Sequence, residues 1–374
     1  METKDLLARR LLGVEMSGIR KMFDLAGEDS VNMGLGEPDY NPAPHIIDAL
    51  ETAARSGKNG YGPSLGIPEL RESIANRVNN YRDSHVSAEN VIVTSSATQG
   101  LMAINQTFVD HGDEVLIPDP GFVLYGSQAR ICGGFPIEYS LTHENGFLPD
   151  VDELMIMNTP GNPTGACMSK DDVRAVCEIA DDNNIMVIAD EVYDQMVYDG
   201  KHHSFLSHMD NVIWTNSFSK TYAMTGWRLG CIAASRDYVK AIEKMHYFTV
   251  ACPPTPIQHA GVAALEGPQD QVDDMLETFR GRRDVITKRI NEIRGLHMDA
   301  PGGAFYALPK YDFDIKSADL AMTLAKEGLI CSPGSAFGKL GEGHLRFSYA
   351  TSEAEIHRGM DILEKVCNEL PLQN

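Results

Sequence analysis

Three side chains of this sequence have the types and positions that covalent amine chemistry needs. Asp190 ends the apolar run 185–189, where a bare carboxylate is costly to bury, although an isolated aspartate there is more often a helix cap or a turn residue. Lys220 lies in a polar-to-small segment, and a lysine becomes nucleophilic only when it is desolvated or lies beside other cations. Arg228, eight residues later, is such a neighbour if the fold brings the two together. A lysine, a carboxylate and nearby hydroxyls form the set that pyridoxal phosphate requires: the lysine forms a Schiff base and the aspartate keeps the pyridine nitrogen protonated.

Polar clusters recur just past the carboxyl ends of short apolar runs, and this predicts the elements that must position these groups. The runs lie at 91–93, 115–117, 154–157, 185–189 and 212–214, and the clusters after them read TSSATQ, PDPGF, NTPGNPTG, DEVYD and NSFSK. Apolar runs without alternation are typical of strands that are covered on both faces. Because ligands bind outside the carboxyl ends of strands in an open parallel sheet, the clusters predict one composite site.

The order of the patterns predicts an α/β fold with two domains. Most of the apolar runs alternate with stretches of helical spacing, such as 170–183, which favours a mainly parallel mixed sheet flanked by helices. We assign residues 46–276 to this large domain. Residues 1–45 and 277–374 are assigned to a smaller α+β domain, because the C-terminal part combines helical patterns with two strand-like runs.

Composition excludes several classes of function. The 374 residues carry a formal net charge of −21, whereas binding to nucleic acid or to an anionic membrane surface needs basic patches. No apolar run approaches the roughly 18 residues of a membrane helix, and the N-terminus lacks the features of a signal peptide. The seven cysteines are scattered, without a C-x-x-C pair, and His202 and His203 have no companions at metal-ligand spacing. We therefore expect a cytoplasmic protein with reduced thiols and no metal site.

Several segments together resemble the class I aminotransferases, which are fold-type I enzymes that depend on pyridoxal phosphate. The matching segments are SFSKTYAMTGWRLG (217–230), NPTG (162–165), DEVY (190–193), YGPSLGIPELR (61–71), GLGEPD (34–39) and LRFSYA (345–350). They occur in the family's order over nearly the whole chain and are most similar to the aspartate and aromatic aminotransferase branch. The resemblance also implies cis bonds at Asn162–Pro163 and Asp119–Pro120.

The resemblance implies a pyridoxal phosphate site in which Lys220 bonds to the cofactor and later shuttles a proton, and Asp190 is the pyridinium partner. Tyr193 and Asn162 resemble the pair that hydrogen-bonds the ring hydroxylate, although alone they read as a core tyrosine and a turn asparagine. Lys220, Asp190 and Tyr193 are the predicted catalytic residues. The other predicted cofactor contacts are a phosphate cradle and a ring stacked on the pyridine: Ser217, Ser219, Arg228, the backbone amides of Ala97 and Thr98, and Phe122, which alone reads as core.

The resemblance also implies how substrate is bound. Arg346 resembles the arginine that holds the substrate α-carboxylate bidentately, although a half-buried arginine in a strand more often forms a salt bridge. Gly36 matches the loop that closes over substrate, and its plain interpretation is a turn. Asn162 is expected to contact substrate as well. Tyr61 resembles the tyrosine that reaches the phosphate of the neighbouring subunit, which implies a homodimer with shared active sites.

The predicted activity is the transfer of an amino group from an α-amino acid, aspartate or aromatic, to a 2-oxo acid such as 2-oxoglutarate. The implied mechanism is ping-pong and alternates between the pyridoxal and pyridoxamine forms of the cofactor.

Thr98 stands where one aspartate-selective branch has lysine, so aromatic donors stay open. A different reaction on the same cofactor, such as β-elimination by a C–S lyase, is the alternative that the sequence separates least well. A regulatory module that binds the cofactor as an effector is a third, disfavoured by the acidic charge.

Overall fold

The computed structural model describes residues 7–11, 14, 27, 29–82, 84–149 and 156–373. Its α-helices are α1 (Pro44–Arg55), α2 (Pro68–Arg82), α3 (Ala97–Phe108), α4 (Leu124–Cys132), α5 (Lys170–Asp182), α6 (Phe218–Thr221), α7 (Arg236–Val250), α8 (Thr255–Glu266), α9 (Asp270–Glu292), α10 (Ser317–Lys326) and α11 (Glu353–Glu369). Its 3-10 helices are Arg9–Leu11, Ala88–Asn90, His143–Asn145, Phe205–Ser207, Thr225–Trp227 and Gly334–Phe337.

The strands follow in chain order. They are β1 (Val31–Asn32), β2 (Val91–Thr94), β3 (Glu114–Asp119), β4 (Phe135–Ser140), β5 (Ile156–Asn158), β6 (Val187–Asp190), β7 (Val212–Ser217), β8 (Gly230–Ala233), β9 (Leu296–His297), β10 (Tyr306–Ala307), β11 (Lys310–Tyr311), β12 (Leu329–Ile330), β13 (Ser332–Pro333) and β14 (Leu345–Ser348).

A five-stranded mixed sheet in the order β2-β8-β7-β6-β5 forms the centre of the fold. Strands β5, β6 and β7 are parallel, whereas β8 runs antiparallel to both of its neighbours, β2 and β7. Every residue of β2, β6, β7 and β8 is buried, as expected for strands that helices cover on both faces. The carboxyl ends of β5, β6 and β7 therefore meet at one edge, beside the start of α3.

Local sequence signals explain where several elements begin and end. Helix α5 begins at Ser169, whose hydroxyl accepts the amide hydrogen of Asp172 while the Asp172 carboxylate accepts that of Ser169, a reciprocal capping box. Helix α4 ends at Gly133, which has φ of 97°. That left-handed conformation is where glycine is favoured.

The C-terminal part contributes a three-stranded sheet in the order β10-β14-β13 and two strand pairs, β1 with β12 and β9 with β11. The parallel pairing of β1 with β12 brings the N-terminal segment beside this sheet. One apolar core joins Val31 and Met33 with residues of α9, α10, α11 and the short strands. Two further apolar cores pack between the central sheet and its helices. The domain boundaries at 45/46 and 276/277 stay a prediction.

The runs at 91–93, 185–189 and 212–214 form or overlap strands of the central sheet, and the run at 115–117 forms part of β3. Strand β3 pairs with β4 in a separate two-stranded sheet. Residues 154 and 155 of the predicted run 154–157 lie outside the described residues, as does most of 1–28. Both predicted cis bonds are confirmed, and Thr159–Pro160 is cis as well. None of the described helices is long and apolar enough to cross a membrane.

Candidate active site

A cavity of about 470 Å³ lies at the carboxyl edge of the central sheet, between the sheet and the C-terminal region. Every site residue predicted from the sequence, with the exception of Tyr61, lines it. These residues are Gly36, Ala97, Thr98, Phe122, Asn162, Asp190, Tyr193, Ser217, Ser219, Lys220, Arg228 and Arg346. The fold therefore brings together groups that are as far apart in the chain as Gly36 and Arg346.

Asp190 is the last residue of β6 and is buried. The Tyr125 hydroxyl donates to its Oδ2 across 2.7 Å, and Oδ1 has no hydrogen-bond partner among the described residues. Burial raises the pKa of the carboxyl to about 6, against the opposing effect of the Tyr125 hydrogen bond. Asp190 thus presents an unsatisfied oxygen in a cavity, and a cationic donor would stabilise it.

Lys220 lies in the short helix α6, which follows β7 directly. Ser217 ends β7 and caps α6, since its hydroxyl accepts the amide hydrogen of Ser219 at 3.1 Å. The lysine Nζ donates to the carbonyl oxygen of Gly36 and lies 5.7 Å from the centre of the Tyr193 ring. Burial and then the charge of Arg346 lower the lysine's pKa to about 8. A substantial fraction of the amine is therefore neutral near pH 8, as a nucleophile or a base must be.

The wall at the start of α3 is built to receive an anion. Ser96 has φ of 78° and turns the chain so that the amides of Ala97 and Thr98 form the first turn of α3, where backbone N–H groups have no partner within the helix. A Cβ added at Gly230 would lie 2.5 Å from the Ala97 nitrogen, so only glycine permits this approach of β8.

Two hydroxyls and a guanidinium complete that wall. The hydroxyl of Ser217 lies 2.8 Å from that of Ser219, and both residues are buried. Arg228 is exposed, and its Nη1 donates to the Thr225 carbonyl at 2.8 Å. The combination of free amides, hydroxyls and a cation is suited to a phosphate group.

Arg346, on β14, is buried without a carboxylate partner in the described part of the chain. Its guanidinium donates to neutral acceptors: Asn162 Oδ1 at 3.0 Å, Ser332 Oγ at 3.1 Å and the carbonyl oxygen of Gly34 at 2.5 Å. It also lies 4.6 Å from the centre of the Tyr306 ring. Burial lowers the pKa of Arg346, because the charge has lost water without gaining a counter-charge. The salt bridge considered for this arginine is absent among these residues.

Tyr193 and Phe122 make aromatic contacts along the cavity. The Tyr193 hydroxyl lies 2.8 Å from that of Tyr306, and burial raises the pKa of Tyr193 well above its ordinary value. Phe122 packs edge-on against Tyr125, with 5.7 Å between ring centres.

Tyr61 does not line the cavity of its own chain. Its side chain is 95% exposed, the largest exposure among the large apolar and aromatic residues that stand out at the surface of the described structure. The Thr255 hydroxyl donates to the carbonyl of Gly60 at 2.8 Å, which holds this segment beside the start of α8.

Sequence reasoning missed Tyr125, Tyr306 and Ser332, which contact Asp190, Tyr193 and Arg346 respectively. For Tyr125 a signal was available, since it lies three residues after Phe122, the last residue of the cluster PDPGF. Tyr306 lies in an apolar run, AFYAL, that reads only as a strand. No group of His, Cys, Asp or Glu side chains in the described ranges is arranged to hold a metal ion.

Comparison with known proteins identifies relatives over nearly the full length. The family described as aminotransferase class I and II matches residues 28–363. A probable aspartate aminotransferase of Methanocaldococcus jannaschii is 38% identical, with 96% of this chain and 100% of that protein covered. The aromatic-amino-acid aminotransferase 2 of Thermococcus litoralis is also 38% identical, with 98% and 99% covered. The structure of the aspartate aminotransferase from Thermus thermophilus with maleate is 30% identical with a TM-score of 0.91, covering 96% of this chain and 99% of that one.

Proposed function

Because the chain belongs to the class I and II aminotransferases and is an aminotransferase of the aspartate/aromatic type, we propose that it uses pyridoxal phosphate to move amino groups by a ping-pong mechanism. Its fold is the fold-type I aminotransferase fold. The proposed donors are aspartate or an aromatic amino acid, and the proposed acceptor is a 2-oxo acid, 2-oxoglutarate.

The residues around the cavity fit pyridoxal phosphate. The buried Oδ1 of Asp190 lacks a partner and would accept a hydrogen bond from a protonated pyridine nitrogen. The first-turn amides of α3, the hydroxyls of Ser217 and Ser219, and Arg228 would hold the phosphate. Phe122 would cover the ring, and Asn162 and Tyr193 would contact its oxygen. Lys220 would hold the cofactor covalently through Nζ.

The chemistry that pyridoxal phosphate supplies when bound is a carbonyl that takes up the amino group and a ring that withdraws electrons from the substrate α-carbon. Lys220 is placed to move the substrate α-proton, because its Nζ lies in the cavity with a pKa of about 8. Asp190 holds a negative charge where a cationic ring nitrogen is needed. Arg228 and Arg346 add positive potential that disfavours the protonated form of Lys220.

The observation that carries this proposal is the unpaired, buried guanidinium of Arg346 in the same cavity as Lys220 and Asp190. A buried charge without a partner is costly, and a substrate carboxylate would supply the missing counter-charge. The planar guanidinium binds a carboxylate bidentately, and every α-amino acid and 2-oxo acid carries one. Arg346 thus accounts for recognition of both the donor and the acceptor.

The proposal names two classes of amino donor. The Thermus relative was solved with maleate, a dicarboxylate, whereas the Thermococcus relative is named for aromatic amino acids. Thr98 brings no positive charge to this cavity, which leaves both donor classes open.

The proposal includes a homodimer in which Tyr61 of one subunit contacts the phosphate held by the other. It also includes the two-domain division at 45/46 and 276/277, and a cytoplasmic location that is consistent with seven free thiols.

A donor panel tests the activity. Purified protein loaded with pyridoxal phosphate is incubated with 2-oxoglutarate and, separately, aspartate, tyrosine, phenylalanine, alanine or cysteine. We expect glutamate to form with aspartate or an aromatic donor, in equal amount to the new 2-oxo acid. Release of ammonia or sulfide without glutamate would replace the proposal with β-elimination. The matched control is Lys220→Ala, which lacks the amine.

A further inference from the structure

Tyr306 lies at the point where the proposed cofactor contacts and the proposed substrate contact meet. Its hydroxyl is 2.8 Å from that of Tyr193, and its ring lies under the guanidinium of Arg346 at 4.6 Å. A Cβ added at Gly36 would lie 2.1 Å from the Tyr306 oxygen, so this tyrosine also fixes how closely the loop around Gly36 packs. The side chain is 1% exposed. Tyr306 therefore contacts three separate parts of the site without being one of the residues that the sequence identified.

We propose that Tyr306 is a positioning residue for the transamination, and that its hydroxyl donates to Tyr193 so that the Tyr193 proton points to the ring oxygen of bound pyridoxal phosphate. Its ring meanwhile supports the Arg346 guanidinium. This inference rests on the proposed function, because it concerns how Tyr193 meets the cofactor. It assigns the hydroxyl and the ring of one residue two separable tasks.

The direction of the hydrogen bond follows from counting protons. A phenol has one proton to donate and can accept at its oxygen. If Tyr193 donated to Tyr306, it could only accept from the cavity side and would repel an anionic ring oxygen. If Tyr306 donates, the Tyr193 proton is free for that oxygen, and the donated bond polarises Tyr193 further.

The surroundings of Tyr306 support this direction. Among the described residues, Tyr193 is the only hydrogen-bond partner of the Tyr306 hydroxyl, so its proton has one protein acceptor. Binding of an anionic oxygen beside Tyr193 therefore selects the arrangement in which Tyr306 donates and Tyr193 passes its own proton to the ligand.

The ring of Tyr306 has the second task. Arg346 lies between the Tyr306 and Phe337 rings, at 4.6 and 4.8 Å from their centres. Because a guanidinium is attracted to aromatic faces, this stack holds the fork at a fixed orientation. Tyr306→Phe keeps the stack and removes the hydroxyl, whereas Tyr306→Leu removes both.

The test is a pH titration of the visible absorbance of the cofactor-loaded enzyme without substrate. A hydrogen bond to the ring oxygen favours the form in which that oxygen is anionic, so its weakening raises the pH at which the proton leaves. We expect Tyr306→Phe to raise this apparent pKa by about 0.5 to 1, the size expected for one hydrogen bond. Tyr193→Phe should raise it by more. In the Tyr193→Phe background, Tyr306→Phe should cause no further change.

Tyr349→Phe is the matched control, since it removes another buried tyrosine hydroxyl. That hydroxyl donates to the Ala304 carbonyl oxygen at 3.4 Å and lies 3.5 Å from the Tyr198 hydroxyl, and neither tyrosine lines the cavity. It should leave the titration unchanged. The donor KM should stay within about threefold of wild type in Tyr306→Phe and rise about tenfold or more in Tyr306→Leu, where the stack on Arg346 is lost.

Each outcome has one meaning. An unchanged titration in Tyr306→Phe, or the same change with and without the Tyr193 hydroxyl, would overturn the inference while leaving the proposed function intact. A wild-type protein that takes up no pyridoxal phosphate would instead overturn the proposed function. If Tyr306→Phe is less stable than Tyr349→Phe but titrates as wild type, Tyr306 is structural only, which also contradicts the inference.

Discussion

Arg346 Nη1 donates to Asn162 Oδ1 across 3.0 Å, which joins strand β14 to the loop that follows β5. Since a guanidinium can only donate, this contact identifies the oxygen of the Asn162 side chain and leaves its Nδ2 free to donate into the cavity. One asparagine thus contacts the arginine proposed for the substrate and is available to the proposed cofactor. The Asn162 side chain therefore connects the proposed substrate contact with the proposed cofactor contact.

The first prediction concerns Arg346. Replacement by lysine keeps a positive charge but loses the planar fork, and we expect kcat/KM to fall by the equivalent of about 2–5 kcal/mol, as for a broken buried charge pair. Because the α-carboxylate is common to all substrates, acidic and aromatic donors should suffer similar losses in steady-state kinetics. Arg289→Lys, a change outside the cavity at a partly exposed arginine that pairs with Asp361 and Glu364, is the control and should have little effect on kcat/KM. A defect confined to one donor class would place Arg346 at the side-chain pocket instead.

The second prediction is the pH dependence of Lys220 reactivity. Burial and the charge of Arg346 lower its pKa from the ordinary 10.5 to about 8, and only the neutral amine can bond to the cofactor. The rate at which cofactor-free protein takes up pyridoxal phosphate covalently should therefore rise with pH and reach half its maximum near 8. In Arg346→Gln the midpoint should move upward, because a neighbouring positive charge is gone. A wild-type midpoint near 10 would contradict this picture of the site.

The third prediction concerns stability. The folded-state pKa of Asp190 is about 6 and its ordinary value is 3.8, so the folded protein holds this proton more tightly than the unfolded chain. Stability of the cofactor-free protein should consequently fall as pH rises from about 4 to 6, by up to about 3 kcal/mol from this group.

Asp190→Asn removes that contribution and keeps the hydrogen bond from Tyr125. In urea unfolding without cofactor, the variant should match wild type near pH 4 and be the more stable protein at pH 7. When loaded with pyridoxal phosphate, Asp190→Asn should instead be less active than wild type, since the charge that faces the ring nitrogen is lost. A stability difference between the two proteins that does not change with pH would show that folding does not raise the pKa of Asp190.

Only some of the site residues could be predicted from local sequence patterns. The polar clusters at the ends of apolar runs identified Asp190 and Lys220, because strand ends in a parallel sheet converge whatever the loops contain. Gly36 and Arg346 could not be found in that way. They reach the cavity through the pairing of β1 with β12 and of β13 with β14, and such long-range pairing leaves no local pattern. Only the family resemblance indicated them.

The direction of one strand and two tyrosine contacts could not be predicted from the sequence either. The apolar residues 229–233 are typical of a strand, but they do not indicate its direction, and β8 is antiparallel to β2 and β7. Tyr125 and Tyr306 each have apolar neighbours in the sequence, and the partners of their hydroxyls are 65 and 113 positions away in the chain. The direction of strands and the partners of buried hydroxyls are properties of the assembled fold.

The fourth prediction concerns Tyr61, which is almost fully exposed and outside the cavity of its own chain. Tyr61→Asp places a carboxylate against the phosphate and should be nearly inactive, as should Lys220→Ala. The two variants are mixed, dissociated and allowed to reassociate. If Tyr61 acts on the neighbouring subunit, each mixed dimer has one intact site, and random pairing restores about a quarter of wild-type activity. No recovery, with mixed dimers shown to form, would rule out the role between subunits.

The central claim is that this chain transfers an amino group by way of Lys220 and releases one product before the second substrate binds. The most direct measurement is a single half-reaction: protein loaded with pyridoxal phosphate is mixed with isotopically labelled aspartate or tyrosine in the absence of any 2-oxo acid. We predict about one 2-oxo acid released per active site, no free ammonia, and transfer of the labelled nitrogen to glutamate once 2-oxoglutarate is added. Lys220→Ala should release none on this timescale. Continued release of a 2-oxo acid together with ammonia, or equal release by Lys220→Ala, would contradict the account.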